Sequence, residues 1–210
     1  KAEVGGMCLN WGCIPTKALI ESARTYQRVL DAAAFGVAGI DKKTLSFDYP
    51  KAAKRAGRIV AKLTRGVGYL LEKNGVELIS GEASIRSATE VSVAGRLLET
   101  RHVIIATGSV PATADRSLNW TDLKDLLSLE HIPEHVVLAG SGPHSVELAQ
   151  FFSQIGCTVT IVSPDEELVR ELDPHLVSFL EKRLKKDKIK VITGARIESQ
   201  SPDAVTVNGE

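Results

Sequence analysis

Val136-Val137-Leu138-Ala139-Gly140-Ser141-Gly142-Pro143-His144-Ser145-Val146-Glu147-Leu148-Ala149 begins with four apolar residues, turns at two glycines and continues at helical spacing to Ile155. Gly156 stops that pattern, and Val159-Thr160-Ile161-Val162 is the next apolar run. Strand, glycine turn, helix and strand within about 28 residues is the setting of a dinucleotide fingerprint. Gly140 permits the tight turn, and Gly142 lets a pyrophosphate approach the backbone. The helix N-terminus supplies the anion site. The third fingerprint position holds Ser145, a small residue whose hydroxyl enters the place where helix and strand pack closely.

Beyond the second strand, Ser163 stands where such units usually carry an acid. A serine can still hydrogen-bond a ribose hydroxyl. Asp165, Glu166 and Glu167 follow, with no adjacent arginine. Three acids repel a phosphate dianion, which favours NAD over NADP. Asp173-Pro174 opens a helix to about Lys186, with Leu176, Phe179, Leu180 and Leu184 as its apolar stripe. The basic cluster Lys182–Lys190 reads as a solvated helix end. A strand over Lys190–Thr193 and short strands to Val207 complete this half.

On the amino-terminal side, residues 110–133 read as a connection with a short helix around Asp122–Leu127, and the domain boundary falls here. Strands are predicted at Val76–Ile79, Ala83–Ile85, Glu90–Val93, Leu97–Leu98 and His102–Ala106, the short ones forming an antiparallel insert. The run Val103–Ala106, read as a buried strand, ends in Thr107-Gly108-Ser109, at the carboxyl end where α/β folds bind ligands. A helix runs from Pro50 to Lys73, with Asp48 as N-cap and Asn74-Gly75 as stop. Another runs from Ile14 to about Leu30, with Leu19, Ala23, Tyr26 and Leu30 on one side.

That last helix begins under a thiol, in the run Gly5-Gly6-Met7-Cys8-Leu9-Asn10-Trp11-Gly12-Cys13-Ile14-Pro15-Thr16-Lys17-Ala18-Leu19. Pro15 suits the first helical position, and the positive helix end would favour a Cys13 thiolate. A thiolate beside a second cysteine is equipment for disulfide exchange. A metal site needs four N/S ligands. Cys157 is the only other cysteine and no histidine precedes His102. A purely structural disulfide here would close a short loop and constrain the unfolded chain little.

The chain has 210 residues, enough for one large domain or two small ones. Lys plus Arg and Asp plus Glu balance at 26 each, so no nucleic-acid partner is expected. No run of about 20 apolar residues occurs, so no membrane span is expected. The chain starts at Lys1 with neither initiator methionine nor leader, and reads as a piece of something longer.

The Gly-Gly-x-Cys-Leu-Asn-x-Gly-Cys-Ile-Pro-Thr-Lys-Ala-Leu run resembles the flavoprotein pyridine nucleotide-disulfide oxidoreductases, most closely the branch that oxidises dihydrolipoamide. The resemblance extends in order along essentially the whole chain. It implies an α/β fold of two Rossmann-like dinucleotide-binding domains, three-layer ββα and both incomplete in this chain. Residues 1–112 would be the FAD-binding segment and 113–210 the NAD-binding segment. It implies a Cys8–Cys13 redox disulfide beside FAD, with Cys8 exchanging with a small-molecule or lipoyl-domain dithiol and Cys13 contacting the flavin. Lys17 would lie at the reactive edge of the flavin, and Glu147 would reach across to pair with Lys17. Cofactor contacts are implied at Gly6, Lys17, Gly81, Ala83, Thr107, Gly108 and Ser109 for FAD. For NAD they are implied at Gly140, Ser141, Gly142, Ser145, Glu147 and Ser163. The parent is expected to be a homodimer in the cytoplasm, or in the mitochondrial matrix of a eukaryote.

Several departures from the family pattern matter. Met7 replaces a common Thr or Ser, and a thioether cannot donate to a phosphate. The family's amino-terminal glycine fingerprint, its later Gly-Asp segment and its His-Glu dyad have no counterpart in these residues. The segment alone is therefore expected not to complete a catalytic cycle. Two rivals remain: an NADPH-dependent sibling acting on glutathione or mercuric ion, and a truncated, non-catalytic nucleotide-binding relative.

Overall fold

A computed structural model of the chain describes residues 3–109, 121, 123–201 and 204–208. Helix α1 (Gly6–Asn10) leads into α2 (Cys13–Leu30). The expected start of α2 at Ile14 is one residue late. Cys13 is already in the first turn and Pro15 is third, where no intrahelical donor is needed either. Helix α3 (Tyr49–Lys73) starts at Asp48, whose carboxylate accepts from Lys51 N–H at 3.0 Å. Gly66 and Gly68 lie within it, each tolerated at about 1 kcal/mol relative to alanine.

Strands β1 (Ala83–Ile85), β2 (Glu90–Val93) and β3 (Arg96–Glu99) form the expected antiparallel meander. Val93 pairs with Arg96 across the two-residue turn Ala94-Gly95, and both turn residues have positive φ, as a type I′ hairpin requires. Two predicted strands are absent. Residues 76–79 and 102–106 join no ladder, and Ile104 and Ile105 are 90% and 71% exposed. An extended apolar run becomes a strand only when a neighbour supplies hydrogen-bond partners, and no described segment does so here.

The second half realises the parallel unit. Strand β4 (His135–Ala139), α4 (Pro143–Gln154), β5 (Thr158–Val162), α5 (Pro174–Lys186) and β6 (Lys190–Ile192) give a parallel sheet ordered β4-β5-β6. Central β5 is buried at Val159 through Val162, the mark of a strand covered on both faces. A hairpin of β7 (Ile197–Gln200) and β8 (Val205–Val207) follows. The α5 stripe is shifted from expectation. Val177 and Leu184 are buried and Leu180 packs on the core, whereas Leu176 and Phe179 are 58% and 73% exposed. A sheet of three strands receives only one narrow face of the helix.

The fold is thus α/β with an incomplete Rossmann-like unit, and among the described residues the parallel ladder is confined to the second half. One core joins both halves. Leu19, Ala23, Tyr49, Ala53 and Ala56 cluster with Ala149, Phe151, Phe152, Val159 and Ile161. The alanines let α2 and α3 approach closely, and Phe47 meets both Tyr26 and Phe151 edge-on. Half of the connection expected to hold the domain boundary, residues 110–120 and 122, lies outside the described residues. Its short 3-10 turn at Leu123–Ser128 packs Leu126 into the same core.

Candidate functional site

Cys8 and Cys13 are joined in a disulfide, their Cα atoms 4.5 Å apart. Cys8 is exposed and Cys13 half-buried in the first turn of α2. Gly12 brings the two helices together. A Cβ there would sit 3.0 Å from Met7 O and 3.2 Å from Cys8 Cα, both backbone atoms that cannot yield. The N–H groups of Trp11 and Gly12 both donate to Met7 O. No side chain caps α2, so its first-turn N–H groups and partial positive charge face the sulfurs.

One turn on, Lys17 crosses 130 residues of sequence to Glu147 on α4. Its Nζ donates to both carboxylate oxygens, at 2.6 and 2.7 Å. Packing of α2 against α4 sets this approach. The α2 end of the contact is tied further by Gln27, whose side-chain amide donates to the Gln154 carbonyl. Side-chain exposures of 55% and 29% leave the Lys17–Glu147 pair solvated, so it contributes little to stability.

The fingerprint residues gather at the carboxyl ends of β4, β5 and β6. Gly140 has φ +110°, a left-handed conformation suited to glycine, and its N–H donates to Val162 O at 2.8 Å. Gly142 is the uncapped N-cap of α4, and a Cβ on it would meet no atom within 4 Å. Ser145 Oγ lies 3.5 Å from Ala139 O, filling the helix–strand contact that glycine usually makes. Open space before an uncapped helix N-terminus fits a dinucleotide pyrophosphate.

Ser163 departs from its expected role. It is fully buried, and its hydroxyl accepts the Asp165 N–H at 3.1 Å. It shapes the loop and presents nothing to a ribose. Asp165, one of the acids of this loop, contacts the glycine turn directly. Its carboxylate accepts from Ser141 Oγ at 2.5 Å, and its carbonyl accepts from Gly194 N–H at 3.0 Å. An acid three residues beyond the strand end was the available signal. Val169, buried with φ +46°, donates its N–H to Ser141 O at 2.9 Å. A β-branched residue in that region is strained, and the strain sits directly over the glycine turn.

The remaining predicted residues are dispersed. Gly6 is exposed and its carbonyl accepts from Asn10. Gly81 and Ala83 lie at the exposed start of the meander, and Thr107, Gly108 and Ser109 are exposed and in no ladder. Cys13 and Lys17 suit the reactive edge of a flavin, a sulfur and a cation one turn apart on one helix. The other segments expected to hold FAD do not assemble a parallel sheet around it. An apolar concavity of about 530 Å³ between α3 and the 3-10 turn, lined by Pro50, Ala53, Gly57, Ala61, Leu127 and Leu129, contains none of the site residues. Its shape alone does not outweigh the chemistry of the disulfide and the glycine turn. Among the described residues no His, Cys, Asp and Glu cluster could hold a metal ion, and no helix is long and apolar enough to cross a membrane.

A profile of the pyridine nucleotide-disulphide oxidoreductases matches residues 2–210. Among curated proteins, the dihydrolipoyl dehydrogenase of Acholeplasma laidlawii is 36% identical over 215 residues, covering 98% of this chain and 63% of that protein. The dihydrolipoyl dehydrogenase of Bacillus subtilis is 34% identical over 205 residues, covering 94% and 44%. That of Chlorobaculum tepidum is 32% identical over 219 residues, covering 100% and 46%. The chain spans about half the length of the curated relatives it matches.

Proposed function

The chain belongs to the pyridine nucleotide-disulphide oxidoreductase family, and from that premise we propose that it is the redox segment of an FAD- and NAD-dependent dihydrolipoamide dehydrogenase. The observation that carries this reading is the asymmetric disulfide, with exposed Cys8 bonded to half-buried Cys13 at a helix N-terminus. An incoming dithiol reaches Cys8 more readily than Cys13.

One substrate thiolate attacks Cys8 Sγ, a sulfur–sulfur bond forms, and the Cys8–Cys13 bond breaks. Cys13 leaves as a thiolate, favoured by the uncapped first turn of α2. The second substrate thiol, losing its proton to a base, displaces Cys8 and closes the product disulfide. Two electrons then reside on the cysteine pair, and the dithiol has been oxidised. Bound FAD and NAD would supply the onward hydride chemistry. Lys17 and Cys13 would face the flavin, while Gly140, Gly142 and the α4 N-terminus would hold the NAD pyrophosphate. Glu147 orients Lys17 from the nucleotide side.

The finer parts of the proposal are a lipoyl-domain or free dihydrolipoamide substrate, a homodimeric parent, a cytoplasmic setting and a division into segments 1–112 and 113–210. The acids Asp165 to Glu167 support NAD over NADP. The test is anaerobic mixing of the full-length protein with dihydrolipoamide, read by alkylation of Cys8 and Cys13 and by NADH formation. The expected result is reduction of both cysteines and an NAD-dependent product. Cysteines that stay bonded at equilibrium would remove the proposal, and a product only with NADP would favour the NADPH-dependent sibling.

A further inference from the structure

Helix α1 has five residues, too few to persist without outside support. It nevertheless carries Cys8. Besides its packing on α2 and α3, the disulfide, the turn bonds to Met7 O and the side chain of Asn10 hold it. Asn10 Nδ2 donates to Val4 O and to Gly6 O, each at 2.9 Å, which uses both hydrogens of the amide. Its Oδ1 accepts from Thr64 Oγ1 on α3 at 3.2 Å. Beyond buried Tyr49, the inward stripe of α3 runs Ala53, Ala56, Val60, Thr64, Val67 and Leu71, and Thr64 is the one polar side chain of these six.

We propose that Thr64, acting through Asn10, is a positioning residue for the redox disulfide: it anchors α1 to α3 and holds Cys8 in register with Cys13. This rests on the assignment of Cys8–Cys13 as the exchanging pair. With the disulfide closed, Asn10 and Thr64 already face each other and their bond forms at little entropic cost. With the disulfide open, the same bond must first order a short, loose segment. The bond therefore stabilises the oxidised form more than the dithiol. By reciprocity the two links strengthen each other. Loss of the Thr64 hydroxyl makes the disulfide easier to reduce, and the reduction consumes two electrons and two protons from the redox buffer.

Thr64→Val removes the hydroxyl and keeps the shape of the side chain. The full-length protein is equilibrated in oxidised and reduced dithiothreitol, and the Cys8/Cys13 state is read by alkylation and mass spectrometry. The expected change is about fivefold in the dithiol–disulfide equilibrium toward the dithiol, or roughly 20 mV less negative at 29.6 mV per tenfold. Thr64→Ser should restore the wild-type potential, and Asn10→Ala should shift it in the same direction as Thr64→Val. A Thr64→Val protein with lowered thermal stability and an unchanged potential overturns the inference, because a merely structural contact would behave that way. A wild-type disulfide that dithiothreitol never opens instead overturns the assignment of the exchanging pair. The two failures are thus distinguishable.

Discussion

Residues 103–109 and 136–142 are both apolar runs ending in a small-residue turn, Val-Ile-Ile-Ala-Thr-Gly-Ser and Val-Val-Leu-Ala-Gly-Ser-Gly. In the second, His135–Ala139 pairs residue for residue with Thr158–Val162, and Val136 and Leu138 pack on the core. In the first, no ladder forms and all seven residues are exposed. The turn after β4 is consequently held by its neighbours: Val162 O receives Gly140, Asp165 receives Ser141, and Val169 caps the Ser141 carbonyl. The run leading into residue 107 joins no ladder among the described residues. At residues 140–142 a laddered strand and its neighbours fix the turn geometry, which composition alone does not.

The contrast should be largest in stability. Ile161 is fully buried in central β5, so Ile161→Ala is expected to cost about 2–5 kcal/mol in urea unfolding of this chain. Ile104→Ala should stay within about 0.5 kcal/mol, since Ile104 is 90% exposed. Similar losses at the two positions would mean that residues 103–106 are buried in solution, and the distinction between the stretches would fall.

Next in size is a pH effect on the core beneath β4. Burial pushes the Tyr49 phenol up to about 12 from 10.0, and its hydroxyl donates to Leu126 O. In the unfolded chain the phenol ionises from pH 10, while the folded chain keeps its proton until about 12. The unfolded state releases the proton first, so stability falls as pH rises through this window, by about 2–3 kcal/mol in total. Tyr49→Phe should flatten that part of a thermal-melting curve. A slope unchanged in the variant would show that Tyr49 does not anchor the core supporting residues 136–139.

Much of this was legible in residue order. The glycines at 140 and 142, Pro143 and the apolar runs on either side fixed the βαβ unit, because these signals act locally through φ and period. Asp48 and Asn74 marked α3 for the same reason. Expectation failed where the outcome depended on distant partners. Val103–Ile105 has a strand's composition and pairs with no strand among the described residues. Leu176 and Phe179 keep a helical period but face outward, because the width of the sheet, which a helix sequence does not encode, decides which face is covered. Ser163 is confined by Ile192 and Ala195, whose positions follow only once β6 has paired with β5. Asn10 and Thr64 lie 54 residues apart and carry no shared pattern.

A third contrast separates binding from folding at the β4 turn. Gly142→Ala places a methyl in open space, so unfolding should be unchanged within about 0.5 kcal/mol. The same methyl occupies the approach of a pyrophosphate. NADH affinity of the full-length protein, followed by fluorescence titration, should fall about tenfold or more, the loss of roughly one charge-assisted hydrogen bond. Gly140→Ala should instead lose stability by about 1–2 kcal/mol, because alanine resists φ +110°. If Gly142→Ala binds NADH normally, the uncapped end of α4 is not the anion site.

The smallest effect concerns which nucleotide that turn prefers. Asp165 is held beside the turn by Ser141, in part-buried surroundings where its charge is less screened than that of the exposed Glu166 and Glu167. Asp165→Asn keeps an oxygen for the Ser141 hydroxyl and removes one negative charge. The repulsion it relieves acts on the extra phosphate of NADPH and not on NADH. NADPH affinity should therefore rise about threefold relative to NADH, in line with a single partly solvated charge. Because screening weakens such a term, the gain should shrink on going from low salt to about 1 M. A preference that moves equally for both nucleotides would assign Asp165 to shaping the loop, as Ser163 does, and not to discrimination.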